Sequence, residues 1–328
     1  MRKHAMIFAA MVAFAGTLTA PAQARTVVPA ISAKPVTNDS MPERVLNFPE
    51  GVRASADVTY STIVGYRPIT LDLYRPRTKG PHPLVIYVHG GGWMIGNTRE
   101  LGAFTNLPAV FAGLSAKGYV VASLEYRLGG EAPFPAAVND VRTAIRFLKA
   151  NAGRYGVDTR RVAIWGASAG AQLASLAALD CGHPPSGEDK SNPGESDCVQ
   201  AAVTWYGLFD FSNAPQSAAS RAKDIYLDCK NSVCDPRTVT AASPVTYVDA
   251  KDPPMLLIHG TQDKTVSMAQ SQALADKLKA AKVPVTLELI PGAAHGWTGV
   301  DEAATRAASL RALDLTFRFL DAQLRPTR

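Results

Sequence analysis

The sequence predicts an α/β protein in which a mostly parallel sheet carries helices on both faces. The 328 residues are 47% apolar and only 19% charged, which is enough to build a large buried core. Several short segments are apolar without interruption, as expected for strands that are buried on both faces. These segments alternate with helical patterns of about 10–15 residues, which is the arrangement of repeated β-α-β units.

The elements can be placed along the chain from residue 58 onwards. Residues 58–64 and 69–74 alternate in strand fashion, and Gly65 between them is typical of a turn. Buried strands are then expected at 84–89, 119–126, 161–165, 199–206, 255–259 and 285–290. Helices are expected at about 104–117, 135–150, 168–179, 268–282 and 301–324. Ligands of such sheets bind beyond the carboxyl ends of the strands, so the residues after each strand are the first candidates for a site.

The first 24 residues have the pattern of a secretory signal peptide. A positive head and a short apolar stretch precede Ala22-Gln23-Ala24, a small-x-small cleavage site. The apolar stretch is shorter than the ~20 residues that a membrane span needs. We therefore expect cleavage after Ala24 and a secreted or periplasmic protein without stable membrane insertion. Residues 25–52 contain four prolines and are expected to form an extended arm, with a single domain at 53–328.

Export changes the interpretation of the cysteines, which are Cys181, Cys198, Cys229 and Cys234. An even number of cysteines in an oxidising compartment predicts two disulfides, for which three connectivities are possible. We favour pairing between nearest neighbours, Cys181 with Cys198 and Cys229 with Cys234. Each of these loops is short and polar and could close without crossing the core.

The charge pattern gives no indication of a nucleic-acid partner. The 34 basic and 28 acidic residues leave a formal net charge of +6. The basic residues are scattered, and no basic stripe with interleaved aromatic residues is visible. The oligomeric state is not fixed by the sequence.

The strand predicted at 161–165 is followed by Gly166-Ala167-Ser168-Ala169-Gly170, a G-x-S-x-G motif. A serine on a sharp turn between strand and helix is held in an exposed position, and only small neighbours allow the chain to approach so closely. The following helix also directs its positive dipole end at the site. An ordinary glycine-rich turn is the alternative, but the position between a strand and a helix favours Ser168 as a nucleophile.

His89-Gly90-Gly91-Gly92-Trp93 follows the strand predicted at 84–89. Consecutive glycines leave backbone amides free to point at an approaching oxygen, so we predict that this loop forms an oxyanion hole together with the amide of Ala169, the residue after the nucleophile. A phosphate-binding loop is disfavoured because the pattern G-x-x-x-x-G-K-[ST] does not occur. Trp93 comes directly after this loop, and we expect its ring to line the substrate pocket. A position in the core is the alternative for Trp93.

Asp263 and His295 each follow a predicted buried strand near the end of the chain. The order Ser168, Asp263, His295 is the order of nucleophile, acid and base in α/β-hydrolases. We therefore predict a catalytic triad in which His295 is the base and Asp263 orients it. Asp210 is a rival for the acid, and Glu288 is a weaker one. The remaining histidines are expected either to be structural, as for His89 and His259, or to face solvent, as for His82 and His183.

Residues 89–92, 126–137 and 166–170 together resemble the hormone-sensitive-lipase-type esterases. The HGGGW start, Ser243-Pro244 and the segment from Cys229 to Cys234 are more similar still to bacterial feruloyl-esterase- and acetylxylan-esterase-like carboxylesterases. The resemblance covers roughly residues 55–322. It implies an α/β-hydrolase fold, the triad given above, and an oxyanion hole formed by the amides of Gly91, Gly92 and Ala169. It also implies a reaction that needs no metal or organic cofactor.

The function implied by this resemblance is that of a secreted serine carboxylesterase. Its substrates would be short-chain or aromatic esters, either small molecules or plant polymers. Residues 25–52 are too short and irregular for the helical cap of the lipase branch, so a relatively open cleft is expected. Residues 207–254 are the expected source of a small lid or pocket wall. The alternatives are a small-substrate amidase or formamidase, a lipase, or a non-catalytic binding module on the same fold.

Overall fold

A computed structural model describes residues 44–182, 187, 189–214 and 220–325 of the chain. The predicted signal peptide, residues 25–43 of the predicted arm, and His183 lie outside the described residues.

The described residues contain a single nine-stranded sheet in the order β1-β2-β3-β5-β4-β6-β7-β8-β9. The strands from β5 to β9 in this order are parallel to one another, whereas β1, β2 and β3 pair antiparallel at one edge. The strands are β1 Arg44–Asn47, β2 Arg53–Ser61, β3 Ile69–Arg75, β4 His82–Val88, β5 Val120–Leu124, β6 Val157–Ala167, β7 Ala201–Trp205, β8 Met255–Gly260 and β9 Val285–Ile290.

Helices cover both faces of the sheet, as the sequence predicts. They are α1 Leu107–Ala116, α2 Ala136–Ala150, α3 Ala152–Tyr155, α4 Ala169–Leu179, α5 Ser220–Tyr226, α6 Pro236–Ala242, α7 Ala269–Ala280 and α8 Glu302–Leu324. Alternate residues of β4 belong to two different apolar cores, with Ile86 in one and Tyr87 in the other. The first core is shared with α2, α4 and α7, and the second with α1 and α8. A mostly parallel α/β fold is thus confirmed.

One boundary predicted from the sequence is wrong. The extended arm was expected to reach residue 52, but β1 pairs antiparallel with β2 over Arg44–Asn47. All four side chains of this edge strand are exposed, so its sequence shows no alternation of apolar and polar residues. The helices α3, α5 and α6 are also absent from the prediction, because each has only 4 or 7 residues and no clear apolar period.

Both predicted disulfides are present. Cys181–Cys198 connects the segment after α4 to the segment before β7. This disulfide therefore lies at the amino-terminal ends of the parallel strands, opposite their carboxyl ends. Cys229–Cys234 follows α5 directly. None of the helices in the described part of the chain is long and apolar enough to cross a membrane.

Candidate active site

Ser168 lies at the turn between β6 and α4 in a strained backbone conformation, with φ 54° and ψ −119°. Its amide donates a hydrogen bond of 2.9 Å to the carbonyl oxygen of Trp205 on the neighbouring strand. A Cβ at Gly166 would lie 2.1 Å from the carbonyl oxygen of Gly170, and a Cβ at Gly170 would lie 2.1 Å from that of Val88. The two glycines of the motif are therefore required for the turn to close.

His295 lies in the loop that follows β9 and contacts both of the other predicted triad residues. Its Nε2 is 2.9 Å from Ser168 Oγ, and its Nδ1 is 2.7 Å from Asp263 Oδ2. The imidazole ring also packs against the ring of Tyr206, with the two centroids 4.6 Å apart. The structure thus brings together three residues that are far apart in the sequence.

Asp263 is held by several donors at the carboxyl end of β8. Its side chain is fully buried, and Oδ1 accepts hydrogen bonds from the amides of Thr265 and Val266 at 2.8 and 2.9 Å. The Nε2 of His259 is 3.4 Å from Oδ2. Burial alone would raise the pKa of Asp263, but the contacts with His259 and His295 hold that pKa well below its usual range. The carboxylate is therefore ionised at neutral pH.

The loop after β4 has the shape that an oxyanion site needs. Gly91 and Gly92 adopt positive φ values of 107° and 59°, and the carbonyl of Gly91 accepts hydrogen bonds from the amides of Met94 and Ile95. Across the described residues, the amides of Gly91, Gly92 and Ala169 donate to no protein group. A Cβ at Gly90 would lie 3.2 Å from the Cβ of Ser168, so this loop is in close contact with the serine turn.

His89 is buried at the base of the same loop. Its Nδ1 is 2.7 Å from the carbonyl oxygen of Gly90, and its ring stacks on Tyr126 at 4.3 Å between centroids. Burial lowers the pKa of His89 to about 4, so the ring is neutral at neutral pH. These contacts fit the structural role that the sequence predicts.

A cavity of about 490 Å³ opens in front of Ser168 and His295. Trp93 lines it, although the residue is only 5% exposed and also belongs to one of the apolar cores. The ring stacks on Tyr226 at 4.6 Å, and its Nε1 donates to Gln172 Oε1 at 2.9 Å. Leu208 and Ala214, which belong to the segment after β7, supply part of the wall together with Tyr206.

Asp210 and Glu288, the alternative candidates for the acid, make contacts outside the triad, and so does His82. Asp210 accepts hydrogen bonds from the amide of Ser212 and from Asn213 Nδ2, and it has no contact with His295. Glu288 is 3.8 Å from Arg311. His82 Nε2 is 2.9 Å from the carbonyl oxygen of Thr78 on an exposed part of the surface.

Some residues of the site were not identified from the sequence. Tyr206 directly follows β7, and this position at a strand end was a signal that could have been used. Gln172 lies one helical turn after Ser168, which places it on the same side of α4. It also donates to the carbonyl oxygen of Ala242 at 2.8 Å, so it connects Trp93 with the segment that covers the site. Lys223 lines the cavity from α5, and no sequence pattern points to it.

A parallel α/β sheet with a serine at a strand–helix turn and later histidine and aspartate loops defines the class of α/β-hydrolases. The chain belongs to the BD-FAE family, whose sequence profile matches residues 71–278. This match covers more than half of the chain and includes Ser168 and Asp263.

The curated relatives are named esterases. Esterase LipC of Mycobacterium tuberculosis is 33% identical over 252 residues, which are 72% of this chain and 58% of LipC. Esterase LipQ of the same organism is 32% identical over 76% of this chain and 58% of its own length. The chain thus spans about three fifths of the length of these relatives.

Solved structures show the same fold. A bifunctional GH43-CE protein of Bacteroides eggerthii aligns with a TM-score of 0.69 and 27% identity over 83% of this chain and 35% of that one. A truncated carbohydrate esterase from gut microbiota aligns with a TM-score of 0.68 and 24% identity over 82% of this chain and 95% of that one.

Proposed function

We propose that this chain is a serine carboxylesterase in which Ser168, His295 and Asp263 form the catalytic triad. The observation that carries the proposal is the continuous line of contacts from Ser168 Oγ through His295 to Asp263, with lengths of 2.9 and 2.7 Å. The Ser168 end of this line faces a cavity of ordinary ligand size, whereas Asp263 at the other end is buried. The names of the curated relatives support ester hydrolysis over other reactions of the same class.

The chemistry follows from this arrangement. His295 Nε2 takes the proton of Ser168, and Oγ attacks the ester carbonyl. The negative charge that develops on the carbonyl oxygen is stabilised by the amides of Gly91, Gly92 and Ala169. His295 then protonates the leaving alcohol, and an acyl-enzyme remains on Ser168. Water activated by His295 hydrolyses this acyl-enzyme and restores the serine.

Asp263 acts through the imidazole. Its carboxylate accepts the Nδ1 proton of His295, which fixes the tautomer that leaves Nε2 free to take a proton from Ser168. Because the pKa of Asp263 is held low, the acid remains a carboxylate when His295 becomes positively charged. The imidazolium formed during each step is thereby stabilised.

The cavity supports short-chain or aromatic esters as substrates. Its volume of about 490 Å³ and its wall formed by Trp93 and Leu208 suit an acyl group of about two to six carbons or a single aromatic ring. A marked rise in rate above the critical micelle concentration of a long-chain ester would instead indicate a lipase.

We also propose that the protein acts outside the cytoplasm. Two disulfides persist in oxidising compartments and are rare in reducing ones. They agree with the signal peptide that the sequence predicts at residues 1–24. Mass spectrometry of the exported, non-reduced protein would show an N-terminus at Arg25 and no free thiol.

Replacement of the nucleophile tests the proposal directly. Ser168→Ala is expected to lower kcat on p-nitrophenyl acetate by about 10³-fold or more, because only binding and oxyanion stabilisation remain. A folded Ser168→Ala variant that keeps more than about a tenth of the wild-type rate would contradict the proposal. Matched esters and anilides, including feruloyl methyl ester, distinguish an esterase from an amidase.

Two aspartate variants identify the acid. Asp263→Asn is expected to reduce kcat by about 10³–10⁴-fold, because the amide can hold the wrong tautomer of His295. Asp210→Asn is the matched control and should change kcat by less than about threefold, since among the described residues the Asp210 carboxylate accepts hydrogen bonds from Ser212 and Asn213 of its own turn and not from His295. A larger loss in the control would assign the acid to Asp210 instead.

A further inference from the structure

Helix α5 packs directly against the loop that we propose as the oxyanion site. The ring of Tyr226 stacks on Trp93 with an interplanar angle of 8°. A Cβ at Gly92 would lie 3.6 Å from the Cβ of Ala222. The carbonyl of Tyr226 also accepts a hydrogen bond of 2.7 Å from the amide of Phe134, which ties the helix to the body of the fold. Lys223, which lies between Ala222 and Tyr226 in the sequence, is therefore held in the wall of the cavity that contains Ser168.

Lys223 presents a charge that the described protein compensates only weakly. The residue lines the cavity that contains Ser168, and its side chain is only 16% exposed. The nearest acidic atom is Asp224 Oδ1 at 3.8 Å from Nζ. The ammonium group donates no hydrogen bond to any residue in the described ranges. The ammonium has three donors, so an anion that enters the cavity gains charged hydrogen bonds from it.

The charged residues that line the cavity lie on opposite walls. The other wall of the cavity includes Glu100, next to a segment in which a Cβ at Gly102 would lie 3.0 Å from the carbonyl oxygen of Gly296. The negative residue thus belongs to the side of the His295 loop, and the positive residue to the side of α5. Between them the described lining is apolar, glycine or uncharged, apart from His295 itself. An anionic ligand is favoured at the α5 wall and disfavoured at the Glu100 wall.

We infer that Lys223 binds a carboxylate carried by the substrate, so that the preferred esters are monoanionic. This inference rests on the proposed esterase function and specifies its substrate class. The anionic group belongs either to the acid half, as in a half-ester of a dicarboxylic acid, or to the alcohol half, as in an ester of a hydroxy acid. Charged hydrogen bonds are stronger than neutral ones, and we expect a preference of about tenfold to a hundredfold in kcat/KM.

The test compares each anionic ester with its neutral amide, which has nearly the same shape. Monoethyl glutarate against ethyl 4-carbamoylbutanoate probes the acid half, and 4-acetoxybutanoate against 4-acetoxybutanamide probes the alcohol half. Hydrolysis is followed by pH-stat titration at pH 7.5. The wild-type ratio of kcat/KM, anion over amide, is expected to be about ten or more in one pair, and that pair identifies the half that carries the charge.

Variants assign the preference to this residue. Lys223→Met keeps most of the apolar stem and should reduce the ratio to about one, whereas Lys223→Arg should keep it well above one. Lys264→Met is the matched control, because it removes the same charge from a residue that lines the neighbouring pocket but not the cavity in front of Ser168. The control should keep the wild-type ratio. An equal fall in both variants would mean that the general field of the protein, and not contact with Lys223, sets the preference.

The outcomes separate the two proposals. If the wild-type protein hydrolyses p-nitrophenyl acetate but shows a ratio of one or less in both pairs, the inference on Lys223 is overturned and the esterase function stands. If no ester is hydrolysed at all, the proposed function itself fails. The wild-type ratio decides the inference even if Lys223→Met does not fold, and thermal unfolding followed by circular dichroism shows whether each variant is native.

Discussion

Single residues of the site are held in backbone conformations that most amino acids avoid. Ser168 has φ 54° and ψ −119°, and a conformation of this kind costs about 1–3 kcal/mol. The surrounding fold maintains it through the hydrogen bond from its amide to Trp205 and through the close approach of Gly166 to Gly170. The strain exposes Oγ to the cavity, so the same local geometry serves both folding and the proposed chemistry.

Gly96 is one of the residues on which the shape of the oxyanion loop depends. It has φ 117°, and a Cβ there would lie 2.3 Å from His89 Nδ1 and 2.6 Å from the carbonyl oxygen of Gly90. We expect Gly96→Ala to destabilise the protein by about 2–4 kcal/mol through backbone strain and overpacking. It should also lower kcat on p-nitrophenyl acetate, because the amides of Gly91 and Gly92 move with the loop.

Gly113 provides the matched control for this substitution. It lies within α1, and no atom lies within 4 Å of the position that its Cβ would occupy. Gly113→Ala should therefore stabilise the protein by about 0.5–1 kcal/mol and leave kcat unchanged. Urea unfolding of both variants measures the difference. Equal stability of the two variants would show that the crowding around Gly96 relaxes without cost.

For single residues, the sequence predicts those that directly follow a strand. It does not predict residues that reach the site only through the packing of loops and helices. The positions of Ser168, Asp263 and His295 could be predicted because the carboxyl ends of parallel strands all lie on the same side of the sheet. The contact of His259 with Asp263 could not be predicted, since it depends on how the loop after β8 folds back. Lys223 has no local pattern at all, because its position depends on the packing of α5 against Trp93.

At the scale of elements, strands buried on both faces are the part of the fold that the sequence predicts well. The predicted segment 255–259, for example, lies within β8, and all six residues of this strand are buried. The segment 285–290 coincides with β9, but this edge strand is only partly buried, so the prediction that it is buried is wrong. Short helices outside the repeating units are not predicted, because α5 and α6 have 7 residues each and depend on contacts made elsewhere. These missed elements form the segment that covers the site, so the substrate pocket is less predictable than the triad.

The two disulfides lie in elements with different relations to the site, and their removal should have different effects. Cys229–Cys234 adjoins α5, where the amide of Cys229 donates to the carbonyl of Asp224 at 2.8 Å. Replacing both cysteines with alanine should raise KM or alter the chain-length preference, with a loss of about 2 kcal/mol in stability. The kinetic effect is expected because α5 holds Trp93 and Lys223 in place.

The control is the second disulfide, Cys181–Cys198, at the amino-terminal ends of the parallel strands. It closes a longer loop, so the double alanine variant should lose about 3 kcal/mol in stability while KM and kcat stay unchanged. Lys149 Nζ donates to the carbonyl of Cys198 at 2.6 Å, and this contact should weaken as well. Calorimetry and p-nitrophenyl ester kinetics separate the two cases. A change in chain-length preference in the control would contradict this division between the disulfides.

At the scale of the whole molecule, the carboxyl ends of the parallel strands carry the residues of the proposed site, and the two apolar cores make the fold rigid. The stability of such a protein at low pH depends on all the carboxylates whose pKa differs between the folded and the unfolded chain. For Asp158 and Asp263, burial alone would raise the pKa, but hydrogen bonds lower it below the usual range. Such groups add stability above a pH of about 4, and this contribution is lost as the pH falls through their folded-state pKa values.

Asp252 affects the pH dependence of stability in the direction opposite to that of Asp158 and Asp263. Burial raises its pKa to about 6, although a hydrogen bond of 2.8 Å from the amide of Asp249 partly opposes the shift. Because the folded-state pKa is higher than that of the unfolded chain, the ionised form destabilises the native protein above pH 6. This cost disappears as the pH falls from about 7 towards 4, where both states hold the proton. The sign of its contribution is thus the reverse of that of Asp263.

Asp252→Asn should therefore raise the free energy of unfolding by about 1 kcal/mol at pH 8, a value that allows for screening by solvent. The gain should vanish near pH 4. The asparagine oxygen can still accept the hydrogen bond from Asp249, so the turn keeps its geometry. The control is Asp276→Asn on the exposed face of α7, where the aspartate side chain is 77% exposed, and it should change stability by less than about 0.5 kcal/mol at either pH. Urea unfolding at pH 4 and pH 8 measures all four differences, and an equal gain at both values would show that Asp252→Asn acts through packing and not through the charge of this residue.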